Sequence, residues 1–323
     1  MAIVLLRYDL RAPSWGPATH AELYAACLDQ CEWADDRGIM MAVLSEHHGV
    51  DDGYLSSPLM LAAAIAGRTR KLQISIQAIL VPLYDPIHLA EDLAALDLIS
   101  GGRAMFTAGL GYRDEEFEMF GVERRRRAPL LEEAVEAMRS AWTGQPFEYR
   151  GRTLTVTPRP MTDPHPMMFI GGSVPAGAKR AARMRLPFMS ASDDDSLGEV
   201  YREEAAATGF TGGFAVIPKS PTYIHVSDDP ERDWPIVGPH FLHDAHSYDE
   251  WQKPDQTSAV HVHADSIEGV RDSGVYQILT PEQTLAHVAA SGTMLLHPLV
   301  GGLPPDVGWA SLELFDAKVR PHL

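Results

Sequence analysis

Leu44-Ser45-Glu46-His47-His48 places two imidazoles and a carboxylate directly after the apolar run Ile39-Met40-Met41-Ala42-Val43. That run reads as a buried strand, so the polar trio stands where a strand gives way to a loop. In parallel α/β proteins the carboxyl ends of strands are where ligands bind. Histidine is also the side chain whose proton moves most easily near neutral pH. The plain alternative is a strand end with structural histidines.

Other candidates stand at the ends of later predicted strands. The third strand, Leu72–Val81, carries an inward polar Gln77 followed by Ala78. Hydrogen bonding inside the sheet would also explain Gln77. The fourth, Ala104–Ala108, runs into Gly109-Leu110-Gly111-Tyr112, where absent side chains let a flat ligand near the backbone. The dinucleotide fingerprint needs a third glycine where Asp114 stands, so a nicotinamide site is rejected. Arg124 to Arg127 head the next helix, either as a solvated face or as a phosphate-binding guanidinium. The fifth strand ends in Gly171-Gly172-Ser173 before a helix. Unpaired N–H groups there can cradle an anion, although the same residues also make an ordinary turn.

These positions need a scaffold that alternates strands and helices. Ile3–Arg7, Ile39–Leu44, Leu72–Val81 and Ala104–Ala108 read as strands. Helices between them open at Ser57-Pro58 and Pro86 and close at Gly38 and Gly101. Phe147–Val156 reads as a β-hairpin excursion near 145–160. Strands are then expected at Met167–Ile170 and Leu186–Ser190, and from Phe214 toward Val226. Helices are expected at Ala176–Met184 and Leu197–Ala207. From Ser227 to about 275 the pattern is poor, and an insertion or lid is expected. A helix opening at Thr280-Pro281, a strand at Thr293–His297 and a helix at Asp306–Val319 complete the chain. The expected fold class is α/β, a single (β/α)8 TIM barrel over 1–323 with insertions. A doubly wound open sheet is the alternative.

Composition bounds the rest. The chain has 323 residues, 45% hydrophobic and 22% charged, as in ordinary globular proteins. A formal net charge of −17 argues against a nucleic-acid partner. Cys27 and Cys31 read as apolar packers rather than a disulfide or zinc pair. No apolar stretch reaches about 18 residues, and no basic leader is visible, so a cytoplasmic protein without a membrane span is expected. His240, His243 and His246 rotate around a helix without a carboxylate in register. The pair His261 and His263 lies in the poorly patterned segment, so no metal is expected. Nucleophile-elbow and phosphate-loop motifs are absent.

Taken in order, the motifs resemble the bacterial luciferase-like superfamily of FMN- and coenzyme F-420-dependent oxidoreductases. They are Ser45-Glu46-His47-His48, Ser57-Pro58, Ala66-Gly67-Arg68-Thr69, Ala90-Glu91-Asp92, Leu96 to Arg103, Gly109-Leu110-Gly111, Phe120-Gly121-Val122, Trp142-Thr143-Gly144, Gly171-Gly172-Ser173, Gly301 to Pro304 and Ser311 to Phe315. The likeness is strong over residues 3 to 190 and returns after about 280. It implies a barrel holding FMN or F-420 across the carboxyl ends of its strands, with His47 as the proton-handling residue and Glu46 orienting it. It implies a non-prolyl cis peptide at Gln77-Ala78, a phosphate loop at Gly172 and Ser173, and a phosphate arginine at Arg127. Gly109, Gly111 and Gly171 fall among the cofactor contacts. A small-molecule substrate, a separate flavin reductase and a homodimer also follow from the resemblance.

Departures limit what carries over. The reactive cysteine and phosphate-side arginine of true luciferases fall on Gly109 and Leu110. The tryptophan and glutamate of the deazaflavin dehydrogenases fall on Asp51 and Tyr112. Neither light emission nor those dehydrogenations is expected. The rivals are a non-catalytic flavin-binding protein and a metal-dependent barrel hydrolase.

Overall fold

The computed structural model describes residues 2–218, 223–252, 258 and 260–323. Strands and helices alternate from the start: β1 (Ile3–Tyr8), α1 (His20–Asp36), β2 (Met41–Leu44), α2 (Pro58–Arg68), β3 (Gln73–Leu80), α3 (Pro86–Ser100) and β4 (Ala104–Gly109). A short α4 (Asp114–Met119) and a long α5 (Arg127–Trp142) follow. After them come β5 (Phe147–Tyr149), β6 (Arg152–Leu154), β7 (Met167–Gly172), α6 (Pro175–Arg183), β8 (Phe188–Ser190), α7 (Ser196–Ala207) and β9 (Ala215–Val216). The last third holds β10 (Tyr223–Val226), α8 (Pro230–Trp251), α9 (Ile267–Asp272), β11 (Tyr276–Leu279), α10 (Pro281–Ser291), β12 (Thr293–Leu296) and α11 (Pro305–Leu314).

Local chemistry explains the helix starts. Thr19 and Glu22 form a reciprocal capping box at α1, and Thr280 and Gln283 form another at α10. The Asp85 carboxylate accepts the N–H groups of Ile87 and His88 at α3. Proline sits in the first turn of α2, α3, α6, α8, α10 and α11, where its missing N–H costs nothing. Gly101 closes α3 at φ +66°, a backbone conformation that disfavours other side chains.

The chain divides into two compact units, residues 1–56 with 219–323, and residues 57–218. In the first, the strand order is β11–β10–β12–β1–β2, all parallel. Its core gathers Tyr223, Trp234, Val237, Phe241, Tyr276 and Val300. In the second, the order is β3–β4–β7–β8–β9, again all parallel, with β5 and β6 as a separate antiparallel hairpin. Parallel neighbours need crossover connections, and the helices supply them. The hairpin stands where the sequence places it, turning through Arg150 and Gly151 at positive φ.

Two expectations change. The poorly patterned segment after Ser227 is mainly α8, a 22-residue helix, followed by α9. Pro235 and Pro239 lie inside α8 and disguise it, because proline removes a helical hydrogen bond. Tertiary packing of Trp234, Val237, Phe241, Ala245 and Tyr248 compensates. The strand expected from Phe214 toward Val226 is two strands, β9 and β10, and residues 219–222 between them lie outside the described residues. Residues 253–257 and 259 of the expected lid also lie outside them. Cys27 and Cys31 are free and buried, as expected of apolar packers.

Candidate active site

In the first unit, the loop after β2 folds back onto the end of β1. The His47 N–H donates to the Leu55 carbonyl at 3.1 Å, and the Leu55 N–H donates to the Asp9 carbonyl at 2.8 Å. These bonds fix the buried His47 imidazole among aromatic rings. Centroids of Tyr54 and Trp251 lie 4.9 and 4.8 Å from its own, and that of Tyr248 lies at 6.3 Å. Glu46 Oε1 sits 2.9 Å from His48 Nε2, both side chains buried. The Glu46 carboxylate is thus hydrogen-bonded to the imidazole of His48, the neighbour of His47.

A buried charged network adjoins these rings. Arg11 Nε donates to Asp52 Oδ2 at 2.6 Å, Nη1 donates to Asp244 Oδ1 at 3.2 Å, and Nη2 donates to the Ser247 hydroxyl. The same guanidinium lies 5.4 Å from the Tyr54 ring centroid and 5.3 Å from that of Trp251. His243 Nε2 is 2.7 Å from Asp52 Oδ2, and the Tyr276 hydroxyl donates to Asp244 Oδ2 at 2.7 Å. The Tyr54 and Tyr248 hydroxyls share a 2.8 Å bond, and Arg7 Nη2 donates to Tyr248 at 2.8 Å.

Proton affinities within this network are pulled apart. Burial raises the Asp52 carboxyl, but hydrogen bonds from His243 and Arg11 outweigh it and hold the group below the ordinary range. Burial, with Asp244 nearby, pushes Asp9 up to about 7, and Arg11 offsets only part of this. Burial and the charges of Arg7 and Arg11 hold His297 well below the usual imidazole range. Its Nε2 is 3.7 Å from Asp9 Oδ2, and neither ring nitrogen has a hydrogen bond among the described residues. Sequence reasoning missed Asp9, Arg11 and His297. The signal was there: Asp9 and His297 directly follow β1 and β12, and Arg11 stands three residues past β1, as His47 does past β2.

In the second unit, the carboxyl ends of β3, β4 and β7 form a bare-backbone patch. The Gln77–Ala78 peptide is cis, as the resemblance implied. The β3–β4 register shifts there, so Ala78 is bulged between the Gln77–Thr107 and Ile79–Ala108 pairs. Gln77 Nε2 donates to the Ser75 hydroxyl at 3.0 Å. A Cβ on Gly109 would stand 2.8 Å from the Ala78 Cβ, and one on Gly171 would stand 2.9 Å from Thr107 Cγ2. Gln77, Ala78, Gly109 and Gly171 are therefore brought side by side. Gly111 continues the patch at φ +71°. The Thr107 hydroxyl is buried without a hydrogen bond among the described residues.

Gly172 has a packing reason as well. Its Cβ would meet Gly177 Cα at 3.1 Å, so the pair lets β7 touch the first turn of α6. Ser173 follows, and the first turn of α6 has no side-chain cap; Pro175 carries no N–H, and the Gly177 N–H donates to the Val174 carbonyl at 2.9 Å. Arg127 is the first residue of α5, with Nη1 donating to the Arg124 carbonyl at 3.3 Å. The histidines of α8 divide among separate tasks. His240 Nδ1 lies 2.8 Å from the Gly301 carbonyl oxygen, His243 serves Asp52, and His246 lies 3.5 Å from Asp265.

Parallel strands with helical crossovers, and polar or bare positions gathered at strand carboxyl ends, define an α/β protein with candidate ligand-binding positions in both units. The chain belongs to the luciferase-like monooxygenase family, whose model matches residues 10–292. It is 26% identical over 164 residues to the oxygenase component of the flavin-dependent trigonelline monooxygenase of Acinetobacter baylyi, covering 49% of this chain and 45% of that protein. It is 28% identical over 194 residues to the FMNH2-dependent dimethylsulfone monooxygenase of Pseudomonas putida, covering 53% of each. The chain spans about half the length of the curated relatives it matches.

Among solved structures, monooxygenase RslO1 from Streptomyces bottropensis superposes with a TM-score of 0.75 at 23% identity, over 99% of both chains. The oxygenating constituent of 3,6-diketocamphane monooxygenase from Pseudomonas putida, with FMN, gives 0.71 at 20% identity over 100% of this chain and 99% of that one. The expected fold class, α/β of the luciferase-like barrel type, is thereby established. No helix among the described residues is long and apolar enough to cross a membrane.

Proposed function

We propose that this chain is a luciferase-like oxidoreductase, of monooxygenase type, acting on a small organic substrate with reduced FMN or coenzyme F-420. The observation that carries the reading is the buried His47 imidazole, pinned by its backbone at the end of β2 and enclosed by Tyr54, Tyr248 and Trp251. A group so held can move a proton repeatedly without reorienting. The relatives named above support the flavin. An F420-dependent secondary alcohol dehydrogenase of similar fold keeps the deazaflavin open, with a TM-score of 0.69 at 18% identity over 98% of both chains.

The residues suit such a cofactor. Gln77, Ala78, Gly109, Gly111 and Gly171, at the carboxyl ends of β3, β4 and β7, are assigned to the flat ring, and the Thr107 hydroxyl is a buried polar group without a hydrogen bond among the described residues beside them. Gly172, Ser173 and Arg127 are assigned to its phosphate. When bound, the cofactor would supply the redox chemistry. His47 would hold or deliver the accompanying proton, with Glu46 fixing the neighbouring His48 and so the shape of the loop. The aromatic enclosure keeps water from the imidazole and suits an apolar substrate. This reading implies a cytoplasmic homodimer supplied with reduced flavin by a separate reductase.

Absorbance titration of the purified chain with FMN and with F-420 tests the proposal. A saturable spectral change with one of them is expected, followed by consumption of its reduced form in the presence of substrate. Binding without any turnover across a substrate panel would favour a non-catalytic flavin-binding protein. No binding of either cofactor would overturn the reading.

A further inference from the structure

Outside the residues assigned above, Asp249, His261 and His263 bring three metal-ligating side chains together. Asp249 lies in the last turn of α8, two residues before Trp251. Val260 and Val262 pack against the core of the first unit. Between and after these valines stand His261, partly buried, and His263, exposed. His263 stands at φ +51°, unusual for a residue other than glycine, and the two imidazole centroids lie 3.7 Å apart. One carboxylate oxygen and one nitrogen from each ring all lie within 4.8 Å of one another. Asp249 Oδ1 is 3.0 Å from His261 Nε2, yet this solvent-shielded oxygen has no hydrogen bond of good geometry among the described residues.

We propose that Asp249, His261 and His263 form a site for a divalent transition metal of the zinc class, which fastens the chain near 260 to the end of α8. Two imidazoles and one carboxylate match zinc, cobalt and nickel, whereas magnesium and calcium demand oxygen donors throughout. Tetrahedral bonds of about 2.0–2.1 Å bring ligand atoms to roughly 3.4 Å separation. Binding would draw the present spread, within 4.8 Å, in to that value. His263 is exposed, which leaves the fourth position to water. A cation here satisfies the orphaned Asp249 oxygen and turns two crowded imidazoles into co-ligands. The sequence hid the site because the carboxylate comes from a helix upstream of the histidine pair. The tie has a consequence for the neighbouring site. Tyr248 and Trp251 flank Asp249 and carry rings packed on His47, so an occupied site fixes the helical turn that presents them.

Cobalt titration of the full, untagged, chelator-treated chain tests this without any flavin, so its outcome is separate from the cofactor reading. One equivalent of Co2+ should bind saturably with visible ligand-field bands, and Zn2+ should bleach them. Asp249→Asn and the exposed His263→Ala, each verified as folded by circular dichroism, should each weaken binding by at least about 10–100-fold, the loss typical of removing even an outer-shell partner. His246→Ala, whose imidazole pairs separately with Asp265, should leave binding unchanged. Absence of saturable bands overturns the proposal. So do bands that persist in both ligand variants, or bands that vanish in His246→Ala.

Discussion

His47 and Trp251 face one another with ring centroids 4.8 Å apart and planes inclined by 53°. One residue stands early in the loop after β2 and the other ends α8, so a long helix late in the chain finishes the enclosure of an imidazole near its start. The Arg11 guanidinium, 5.3 Å from the Trp251 centroid, backs the same indole. The imidazole is thus held by rings, and the rings adjoin a charged network.

His47→Ala should reduce turnover by about 10²- to 10⁴-fold, the usual worth of a positioned acid or base. Affinity for the cofactor should change much less, because the phosphate and ring contacts are assigned to other residues. Rapid-mixing reoxidation of the bound reduced cofactor with substrate, alongside equilibrium titration, separates the two. Unchanged turnover would remove His47 from the chemistry.

Arg11→Met should destabilise the protein by about 3–5 kcal/mol, since it strands the buried Asp244 and strips Asp52 of one of its partners. The loss is read as a lower urea midpoint. Arg125→Met, at an exposed pair with Glu123, should stay within about 0.5 kcal/mol of the parent. Equal midpoints for the two variants would contradict the network.

Gly109→Ala forces a new carbon to 2.8 Å from the Ala78 Cβ and should cost about 1–3 kcal/mol. Gly67→Ala in α2 meets nothing within 4 Å and should instead stabilise, by about 0.5–1 kcal/mol. Thermal melts of the two variants should therefore move in opposite directions from the parent.

His225, in β10, is held down to about 4 by burial, with Asp233 opposing the shift only in part. An unfolded chain takes up this proton near pH 6.5, whereas the folded chain resists until about pH 4. The stability tied to the neutral imidazole is therefore whole above 6.5 and drains as pH falls toward 4, by up to roughly 3 kcal/mol. His225→Gln should gain on the parent between pH 7.5 and about 4.5 in urea unfolding. A parallel shift at both values would show that the imidazole does not titrate there.

Much of the scaffold was legible because punctuation is local. Pro58, Pro86 and Pro281 mark helix starts, Gly101 marks an end, and the hairpin announces itself through Arg150 and Gly151. Helix α8 was hidden because Pro235 and Pro239 read as breakers. Yet Trp234, Val237, Phe241, Ala245 and Tyr248 keep the three-to-four spacing of a buried face. His47 and the glycine patch stood out as polar or bare positions after apolar runs. The network around Arg11 did not, since Asp52 and Asp244 meet it only through the fold and no short window contains all three.

Strand β1 lies between β2 and β12, with Ile3 opposite Thr293. One edge of β1 therefore waits for a strand made far later in the chain. Residues 57–218 can condense on the ribosome as a contiguous segment, while the unit that encloses His47 closes only after the segment beyond residue 218 has followed. Pairing across so long a loop is slow. Until β12 is made, β1 is held by β2 alone, and a chain ending before β12 would keep that second edge bare.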